Sequence, residues 1–461
     1  MENCFVRSRV FLLCLLSGIL FFAAGSSLGA DTNPTMAAGK DNIQVAMEFL
    51  PSRSTVGMGP NENFINPSIA VSEEYTDNVF GTESNRRTDF ITHITPGLAL
   101  KYRAPFWDWD LAYLLDYRYY ARNSRSYDFA HDLNVKGNMR VIENFLFLDL
   151  NETFKRVSLD VNRDTTADTT FVNQSDQNIV TVAPHIEFHP GANFLVKSGY
   201  HYTNEMYSNS SQLGASATGV DKEEHGAFVT TSHELTQRST FSTNFYYAHV
   251  ATGLGLSYHQ MYPTLGIRYE YADKSFINLE GGYTWFLYAN GPTTSGPYWN
   301  AGIMHAFDHT TASFNTLVRY NTDPLRGSTE ARDFVGKLDK ILERGSFGVS
   351  ATYSELRDNQ QDTLISRRYA IGGNIKHELT EKLTGHLDLT GEKVNRYDNI
   401  NLNNDITAPY RFYIATGVNY VMANKLTLSL DYSYTTYRKS IDSSDNNTEI
   451  NRVFLKVSKV F

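Results

Sequence analysis

Cysteine is almost absent from this chain of 461 residues. Only Cys4 and Cys14 occur, and both lie within the first 30 residues. The rest of the chain therefore has no thiol for a disulfide bond or for a thiolate metal site. We expect no cofactor.

A basic surface is absent as well. The chain carries 41 Lys and Arg against 50 Asp and Glu, a formal net charge of -9, and it has no long basic block. Proteins that bind nucleic acid neutralise phosphates with clustered Lys and Arg. Nucleic acid is therefore not an expected partner.

Long apolar runs are missing after residue 30. No uncharged apolar stretch there reaches the about 18 residues of a membrane-spanning helix, which excludes a helical membrane protein. Proline is scarce, with 13 residues, whereas aromatic residues make up 13% of the chain. This composition favours many β-strands joined by polar loops.

The first 30 residues have the three zones of a secretory signal. Arg7 and Arg9 precede an apolar stretch over residues 10–24, and small residues follow over 25–30. This order of charge, apolar core and cleavage region predicts a cleavable signal peptide over residues 1–30. A membrane anchor is the alternative, for which the apolar core is short.

Residues 31–62 are predicted to form a polar periplasmic segment. The segment contains Pro34, Pro51 and Pro60 and is too short for the folded plug of a receptor-type transporter. The sequence therefore disfavours that class of transporter.

From residue 63 to residue 461 the sequence alternates between apolar and polar positions. Over residues 107–121 the odd positions are Trp, Leu and Tyr, whereas the even positions include three Asp and one Arg. The same period recurs over 128–141 and 425–434. A period of two places successive side chains on opposite faces of a β-strand. A soluble β-sandwich can also produce this period, so further features must decide.

Aromatic residues at the segment ends distinguish the two folds. The apolar face over residues 107–121 begins with Trp107 and Trp109 and ends with Tyr117 and Tyr119, as expected for aromatic girdles at two membrane interfaces. The segments run about 11 to 15 residues, longer than the strands of globular proteins. Residues 63–461 are therefore predicted to form an all-β, transmembrane antiparallel β-barrel.

The connections between these segments alternate between short and long. The short ones lie near 103–106, 142–144, 189–192, 236–239, 272–274, 308–310, 343–345, 380–382 and 423–424, and the long ones include 158–177, 208–220, 289–297, 323–332, 398–407 and 440–447. Short periplasmic turns and long extracellular loops are typical of outer-membrane barrels. The count is about 20 strands (18–22), and the longest loop, Ser158–Gln177, is the best candidate for a constriction.

Charged residues of both signs occur on the predicted inward faces. The predicted pore-lining residues are Asp116, Arg118, Asp132, Lys136, Lys197, Arg268, Glu270, Glu280, Arg319, Arg368, Arg411 and Asp431. A mixed set favours either a weakly selective aqueous path or charges that pair across neighbouring strands.

Inward aromatic residues form a second set within the predicted lumen. They include Tyr120, Tyr246, Tyr262, Phe286 and Tyr413. Such rings can stack on sugars in a glycan conduit, or they can simply fill a wide lumen. We favour the second interpretation.

Two His-containing patterns are candidates for a catalytic or metal site. The string His-Glu-Leu-Thr begins at His233 and again at His377, but neither copy has the second His that a zinc protease helix needs. His185 and His201 share a predicted inward face with Lys197, yet no nucleophile accompanies them. We expect no enzyme activity and no metal site.

The final segment, residues 448–461, has an apolar face that ends in phenylalanine. This face holds Val453, Leu455, Val457 and Phe461 and resembles the signal by which the barrel assembly machinery recognises outer-membrane proteins. Lys459 departs from the usual pattern. The barrel assembly machinery is therefore an expected partner, together with outer-membrane lipid and lipopolysaccharide.

The first predicted strand and loop carry a family resemblance. The stretch Pro67–Phe80, with its motif Tyr75-Thr-Asp-Asn-Val79, and Thr95-Pro-Gly-Leu98 resemble a family of porin-like outer-membrane β-barrels associated with exosortase or exopolysaccharide gene clusters. The resemblance implies a link to polysaccharide export or surface assembly, with polysaccharide-export components as partners. It implies no catalytic residues.

These features predict a channel in the outer membrane of a Gram-negative bacterium. The predicted cargo is exported polysaccharide or small hydrophilic solutes. A closed structural barrel that anchors surface material is the alternative, and a membrane-embedded hydrolase is a remote third.

Overall fold

The computed structural model describes residues 63–169, 171, 173–208, 219–397, 408–422, 425–440 and 447–461. The predicted signal peptide and periplasmic segment lie outside these residues, as does the predicted loop 398–407. Within the described residues, no helix is long and apolar enough to cross a membrane.

The described residues form one sheet of twenty antiparallel strands. The strands are β1 Phe64–Thr76, β2 Asp89–Arg103, β3 Trp107–Tyr120, β4 Tyr127–Ile142, β5 Leu146–Ser158, β6 Gln174–Gly191, β7 Phe194–Ser208, β8 Lys222–Thr236, β9 Ser239–Thr252, β10 Ser257–Ala272, β11 Ser275–Tyr288, β12 Thr294–Ala306, β13 Thr310–Tyr320, β14 Thr329–Leu342, β15 Gly345–Asp358, β16 Thr363–Glu378, β17 Leu383–Arg396, β18 Tyr410–Val421, β19 Leu426–Arg438 and β20 Thr448–Val460.

The sheet closes on itself. β1 pairs with β2 on one side and with β20 on the other, in register from Ser68↔Val460 to Thr76↔Arg452. Closure removes the free edges that an open sheet would expose to lipid. The prediction of an antiparallel barrel of about 20 strands is therefore confirmed.

The two ends of the barrel differ in the length of their connections. At one end the turns span two to four residues, for example 104–106 and 237–238, whereas the other end carries 77–88 and 159–173. This asymmetry agrees with the prediction and identifies the long-loop end as the extracellular one. Three predicted loops were too long, because β6 begins at Gln174, β12 at Thr294 and β14 at Thr329.

Apolar side chains cover the outside of the barrel. Ile371, Ile65 and Leu265 are each more than 60% exposed in their outward rows, which in water would be costly and in lipid is favourable. Aromatic residues mark both ends of the apolar band, with Tyr119 and Tyr127 near the loops and others at the turns. This exterior is that of an outer-membrane β-barrel.

The predicted assembly-signal face lies on the outside of β20. Val453, Leu455, Val457 and Phe461 are all exposed, and they alternate with the inward-facing Arg452 and Lys456. Recognition by the assembly machinery stays a prediction.

Candidate functional site

The loop between β5 and β6 folds into the lumen. We call residues 159–173 the latch loop; within it, residues 170 and 172 lie outside the described residues. Leu159, Arg163 and Asp168 are each no more than 2% exposed, whereas an extracellular loop that projects into solvent would leave such residues open to water.

The latch loop crosses the lumen to the opposite wall. The Ser366 hydroxyl on β16 donates a hydrogen bond of 2.6 Å to the Asn162 side-chain oxygen. Counted through β1 and β20, β16 lies nine strands from β5, close to the largest separation that a ring of twenty strands allows. The loop that sequence analysis named as the best constriction candidate therefore spans the mouth.

Asp168 is the main anchor of the latch loop. The Arg411 guanidinium on β18 donates to both of its carboxylate oxygens, at 2.9 and 2.7 Å, and the Thr435 hydroxyl on β19 donates at 3.0 Å. The Tyr437 hydroxyl donates a further bond. A buried carboxylate is tolerated only when it is paired and hydrogen-bonded in this way.

Arg163 is the second anchor. Its side chain is fully buried and donates to the backbone carbonyls of Ala408 and Pro409, and its guanidinium lies 3.6 Å from the Glu392 carboxylate. Burial lowers the pKa of Arg163, while Asp160 and Glu392 oppose this shift. The cation is therefore held by neighbouring oxygens instead of by water.

Further contacts extend the anchorage towards β1. The Arg396 guanidinium pairs with Asp160, and that of Arg452 donates to the backbone carbonyl of Ala167. Phe171 packs in an apolar cluster with Val79, Ile91, Tyr120, Tyr437 and Ile450. The latch loop thus covers the half of the mouth that runs from β16 through β20 to β3.

A second loop covers much of the other half. Residues 321–328, between β13 and β14, receive hydrogen bonds from the Lys222 ammonium group to the carbonyls of Asn321 and Asp323, at 3.1 and 3.0 Å. The Tyr288 hydroxyl and Ser328 form a further bond of 2.8 Å. Burial raises the pKa of Asp323 above its ordinary value, against the opposing effect of Arg326. We call this segment the second inner loop.

Below the two loops the lumen is polar and more open. A cavity of about 210 Å³ lies near the periplasmic turns and is lined by Asp108, Asp110, Lys136, Gly137, Asn138, Asp149 and Asn151. The Asp110 side chain is 51% exposed there, whereas the Asp168 side chain at the mouth is not exposed at all. Asp110 is thus hydrated at the periplasmic end, whereas Asp168 is shielded from water at the external end.

The predicted pore-lining charges are largely paired with neighbours in the wall. Among the contacts are Asp116–Arg118 at 2.6 Å, Lys197–Glu187 at 3.4 Å, Arg319–Asp333 at 2.5 Å, Arg368–Glu392 at 2.6 Å, Asp431–His386 at 3.5 Å and Glu280–Thr264 at 2.6 Å. Lys136 lines the periplasmic cavity, and Arg268 lies 4.1 Å from the Phe276 ring centre. Asp132 lies on the inward face of β4, and Glu270 lies on the inward face of β10. These contacts support the pairing interpretation; contact with a permeating solute stays a prediction.

A charged network near the mouth was missed by sequence analysis. The His93 ring lies 3.1 Å from Glu74 and 2.9 Å from Asp116, and the Arg452 guanidinium donates to Glu74 at 2.6 Å. Asp116 carries this chain of contacts onward to Arg118. Alternation identified most of these residues as inward, but it gives no signal for which strands bring them together.

The inward aromatic residues stack mainly on each other. Tyr246 lies 4.6 Å from Tyr262, Tyr262 lies 5.3 Å from Tyr298, and His201 lies 5.2 Å from Tyr246, all measured between ring centres. The row runs around the wall from β7 to β12 instead of along the axis. Because these ring faces are already occupied, the filling interpretation is the better supported one.

The His-containing patterns lie in the wall and near the turn ends of the strands. His185 lies between Asp149 and Glu187, at 3.4 and 3.3 Å, in a wall cluster that Lys197 joins. His233 and His377 lie near the turn ends of β8 and β16. The described part of the chain holds no group of three or more His, Cys, Asp or Glu residues that could bind a metal ion.

Comparison with known proteins identifies no family. No family model matches the sequence, and no curated protein matches it. The predicted membership of the exosortase-associated family is therefore without support from these comparisons.

Similar folds occur among solved outer-membrane proteins. The FrpB iron transporter from Neisseria meningitidis (F3-3 variant) shares 10% identity at a TM-score of 0.49, with 87% of this chain and 82% of that chain covered. The siderophore receptor PirA from Pseudomonas aeruginosa shares 9% at 0.44, with 88% and 81% covered. The ferric citrate transporter FecA shares 10% at 0.49, with 88% and 80% covered. At these values the similarities support no inference about what this barrel transports.

Proposed function

We propose that this protein is a gated outer-membrane channel for hydrophilic solutes. The latch loop across the mouth is the observation that carries the proposal. It joins the far wall through side chains such as Asp168 and Arg163, without extending any strand of the sheet. Side-chain contacts can break and reform without unzipping the barrel, so the mouth can open while the wall stays intact.

The polarity of the lumen supports a hydrophilic cargo. Three aspartates, Lys136 and two asparagines line the periplasmic cavity, and Arg103 and Arg140 pair with two of the aspartates. Balanced charge favours neutral or weakly charged solutes over ions of one sign. Exported polysaccharide and small hydrophilic solutes both fit this chemistry.

A reversible lock on the latch loop tests the proposal. The double variant Asn162→Cys/Ser366→Cys places two thiols where the existing side chains are hydrogen-bonded, and the barrel has no other cysteine. We expect the oxidised variant to carry no current in planar bilayers and the reduced variant to show opening events. Equal current in both redox states contradicts gating by this loop.

A second cysteine pair controls for oxidation itself. Thr181 and Thr203 are directly opposite on β6 and β7, with their hydroxyl groups 3.1 Å apart. The variant Thr181→Cys/Thr203→Cys joins two adjacent strands without touching the latch loop. Its conductance is expected to be the same in both redox states.

The closed structural barrel is the second candidate. The burial of Asp168 in the latch loop and of Asp323 in the second inner loop favours it, since both loops are docked. A protein that carries no current even when the latch contacts are removed supports this candidate and overturns the channel.

A further inference from the structure

Strand pairing stops short of the extracellular end between β4 and β5, whose last pair is Leu133↔Phe154, and also between β12 and β13. The last paired residues of β12 and β13 are Asn300 and Leu317, although both strands continue towards the extracellular end. Residues 294–299 pair only with β11, and residues 318–320 pair only with β14. We call the gap between β12 and β13 the seam.

Proline does not account for the seam, because pairing is already lost at Trp299 and Tyr298, on the turn side of Pro297. Pro184 and Pro263 also lie within strands, and at each of them the pairing skips two positions and then resumes. Proline cannot donate a backbone hydrogen bond, which explains such a skip. Next to Pro297 the pairing does not resume, because β13 ends at Tyr320.

Tyr320 passes through the wall at the seam. Tyr320 belongs to a row of β13 in which Phe314 is 46% exposed, whereas Val318 is only 3% exposed. Its hydroxyl nevertheless donates to Thr284 at 3.1 Å, and its ring centre lies 5.1 Å from that of Phe286. Both partners are buried on the lumen face of β11. The row of β13 that faces lipid at Phe314 therefore turns towards the lumen at the seam.

Side chains close the outer rim of the seam. The Trp299 ring nitrogen donates to the Thr316 hydroxyl at 2.9 Å, and the Arg332 guanidinium lies over the Trp299 ring at 5.8 Å. These contacts replace backbone hydrogen bonds. A rotamer change can open them, whereas a hydrogen-bonded strand pair would have to unzip.

The seam lies in the outer leaflet. Trp299 is seven residues above the turn end of β12 at Ala306, or roughly 18 Å along the membrane normal for a tilted strand. The apolar band of such barrels is about 25 Å tall. Open sheet edges do not occur against hydrocarbon, so the unpaired backbone of the seam must be covered by side chains or must line a water-filled space.

Three arginines stand on the outward faces beside the seam. Arg332, Arg357 and Arg367 follow the outward rows of β14, β15 and β16, with side chains 31%, 25% and 40% exposed. Glu330 pairs with Arg332, and Glu355 lies 3.3 and 3.1 Å from the other two guanidinium groups. The loop carboxylate of Asp362 also contacts Arg357, at 2.9 Å.

This arrangement suits a phosphate group. Each guanidinium has five N–H donors, so the carboxylate contacts leave further donors for an anionic ligand. The carboxylates fix the direction of the guanidinium forks, and the forks match phosphate oxygens two at a time. The position is that of the outer-leaflet headgroups.

We propose that the seam is a lateral portal for a phosphate-bearing amphiphile of the outer leaflet. The arginines hold the phosphate, the polar part of the headgroup enters the lumen past Tyr320, and the acyl chains stay in the membrane. The inference rests on one part of the proposed function, namely that the lumen accepts a hydrophilic group. It gives the lumen an opening that does not require the latch loop to move.

Photocrosslinking in vesicles tests the portal. p-Benzoylphenylalanine is placed singly at Phe314 on the lipid face, at Tyr320 in the seam, or at Tyr413 on the lumen face of β18. In vesicles that contain lipid A, we expect lipid adducts at Phe314 and Tyr320 but none at Tyr413. Adducts at Phe314 without adducts at Tyr320 overturn the portal.

The ligand chemistry is tested in the same vesicles. With phosphatidylcholine as the only lipid, the yield at Tyr320 is expected to fall at least fivefold, and Arg332→Ala is expected to have a similar effect with lipid A. Lys340→Ala, on the same outward face of β14 near the turn end, is the matched control and should leave the yield unchanged. Equal yields with both lipids overturn the assignment of a phosphate.

Cysteine pairs test the gap itself without relying on a lipid. Ile303→Cys/Phe314→Cys lies in the closed part of the β12–β13 pair, whereas Trp299→Cys/Val318→Cys lies one step beyond its last rung. We expect rapid oxidation of the first pair, and cross-linking of the second pair only with longer bifunctional reagents. Equally rapid oxidation of both pairs overturns the seam. None of these measurements uses current, so failure of the channel leaves them interpretable.

Discussion

Removal of the Asp168 carboxylate is expected to open the mouth of the barrel. Asp168→Ala leaves the Arg411 guanidinium buried beside the latch loop without its main partner, and it removes the acceptor of the Thr435 and Tyr437 hydroxyl groups. Breaking a buried ion pair from one side costs about 3 to 5 kcal/mol. The cost disappears when the loop undocks and water reaches Arg411, so the open state is favoured.

The expected shift is large enough to measure directly. Because 1.4 kcal/mol is a tenfold change in an equilibrium constant, the open-to-closed ratio should rise on the order of a hundredfold or more. Single-channel recording in planar bilayers gives this ratio as the open probability. Heat-modifiable migration in gels checks that the barrel itself remains folded.

An exposed neighbour provides the matched control. Asp164 lies in the same loop, is exposed, and bonds only locally to Thr166 in the described contacts. Asp164→Ala removes the same charge and should leave the open probability within about twofold, since surface interactions contribute little. An Asp168→Ala channel as closed as the unaltered protein refutes the latch.

Three further outcomes are expected. Because burial raises the pKa of Asp323, the docked second inner loop binds a proton more readily than the undocked loop; docking should strengthen as the pH falls through the raised pKa, and Asp323→Asn should abolish this dependence of the open probability. Glu74→Gln should destabilise the barrel by about 3 kcal/mol in urea titrations, because Arg452 and His93 lose a buried carboxylate. Phe461→Ala should slow assembly by purified assembly machinery, measured as the appearance of heat-modifiable protein.

Each of these outcomes has a control in the chain. Glu73→Gln changes the neighbouring carboxylate, which is outside the network and bonds to Thr92, and it should leave the unfolding free energy nearly unaltered. Leu430→Ala removes another exposed apolar side chain from the lipid face and should not slow assembly. A pH dependence that persists in Asp323→Asn assigns the titration to another group.

Alternation was sufficient to predict the wall of the barrel. Each strand has lipid on one side and a polar lumen on the other, so every second residue is constrained and the pattern repeats over the whole length. The apolar and polar residues of β8 and β14 alternate poorly, yet both segments are included in the predicted count of about 20 strands. The predicted strand boundaries are wrong at 289–297 and 323–332. Both ranges are predicted as loops, although β12 begins at Thr294 and β14 at Thr329.

The contacts that close the mouth could not be predicted from the sequence. The latch loop contains Asp160, Arg163 and Asp168, the polar composition of any exposed loop, and its length alone suggested a constriction. Its partners lie far along the chain, as in the separation of 243 residues between Asp168 and Arg411. Periodicity describes neighbours in sequence, so it cannot assign partners across the lumen.

The remoteness of these partners has a consequence for folding. The contacts of Asp160, Asn162, Ala167 and Asp168 with the far wall join residues separated by 204 to 285 positions, and these partners lie on β16 to β20, the last strands in the chain. Contacts of such long range are slow to form, because a large loop must be closed before they contribute. The latch loop can therefore dock only on a ring whose final strands are in place. Burial of the latch loop therefore reports when the barrel has closed. Protease cleavage near Arg163 should stop when β20 pairs with β1.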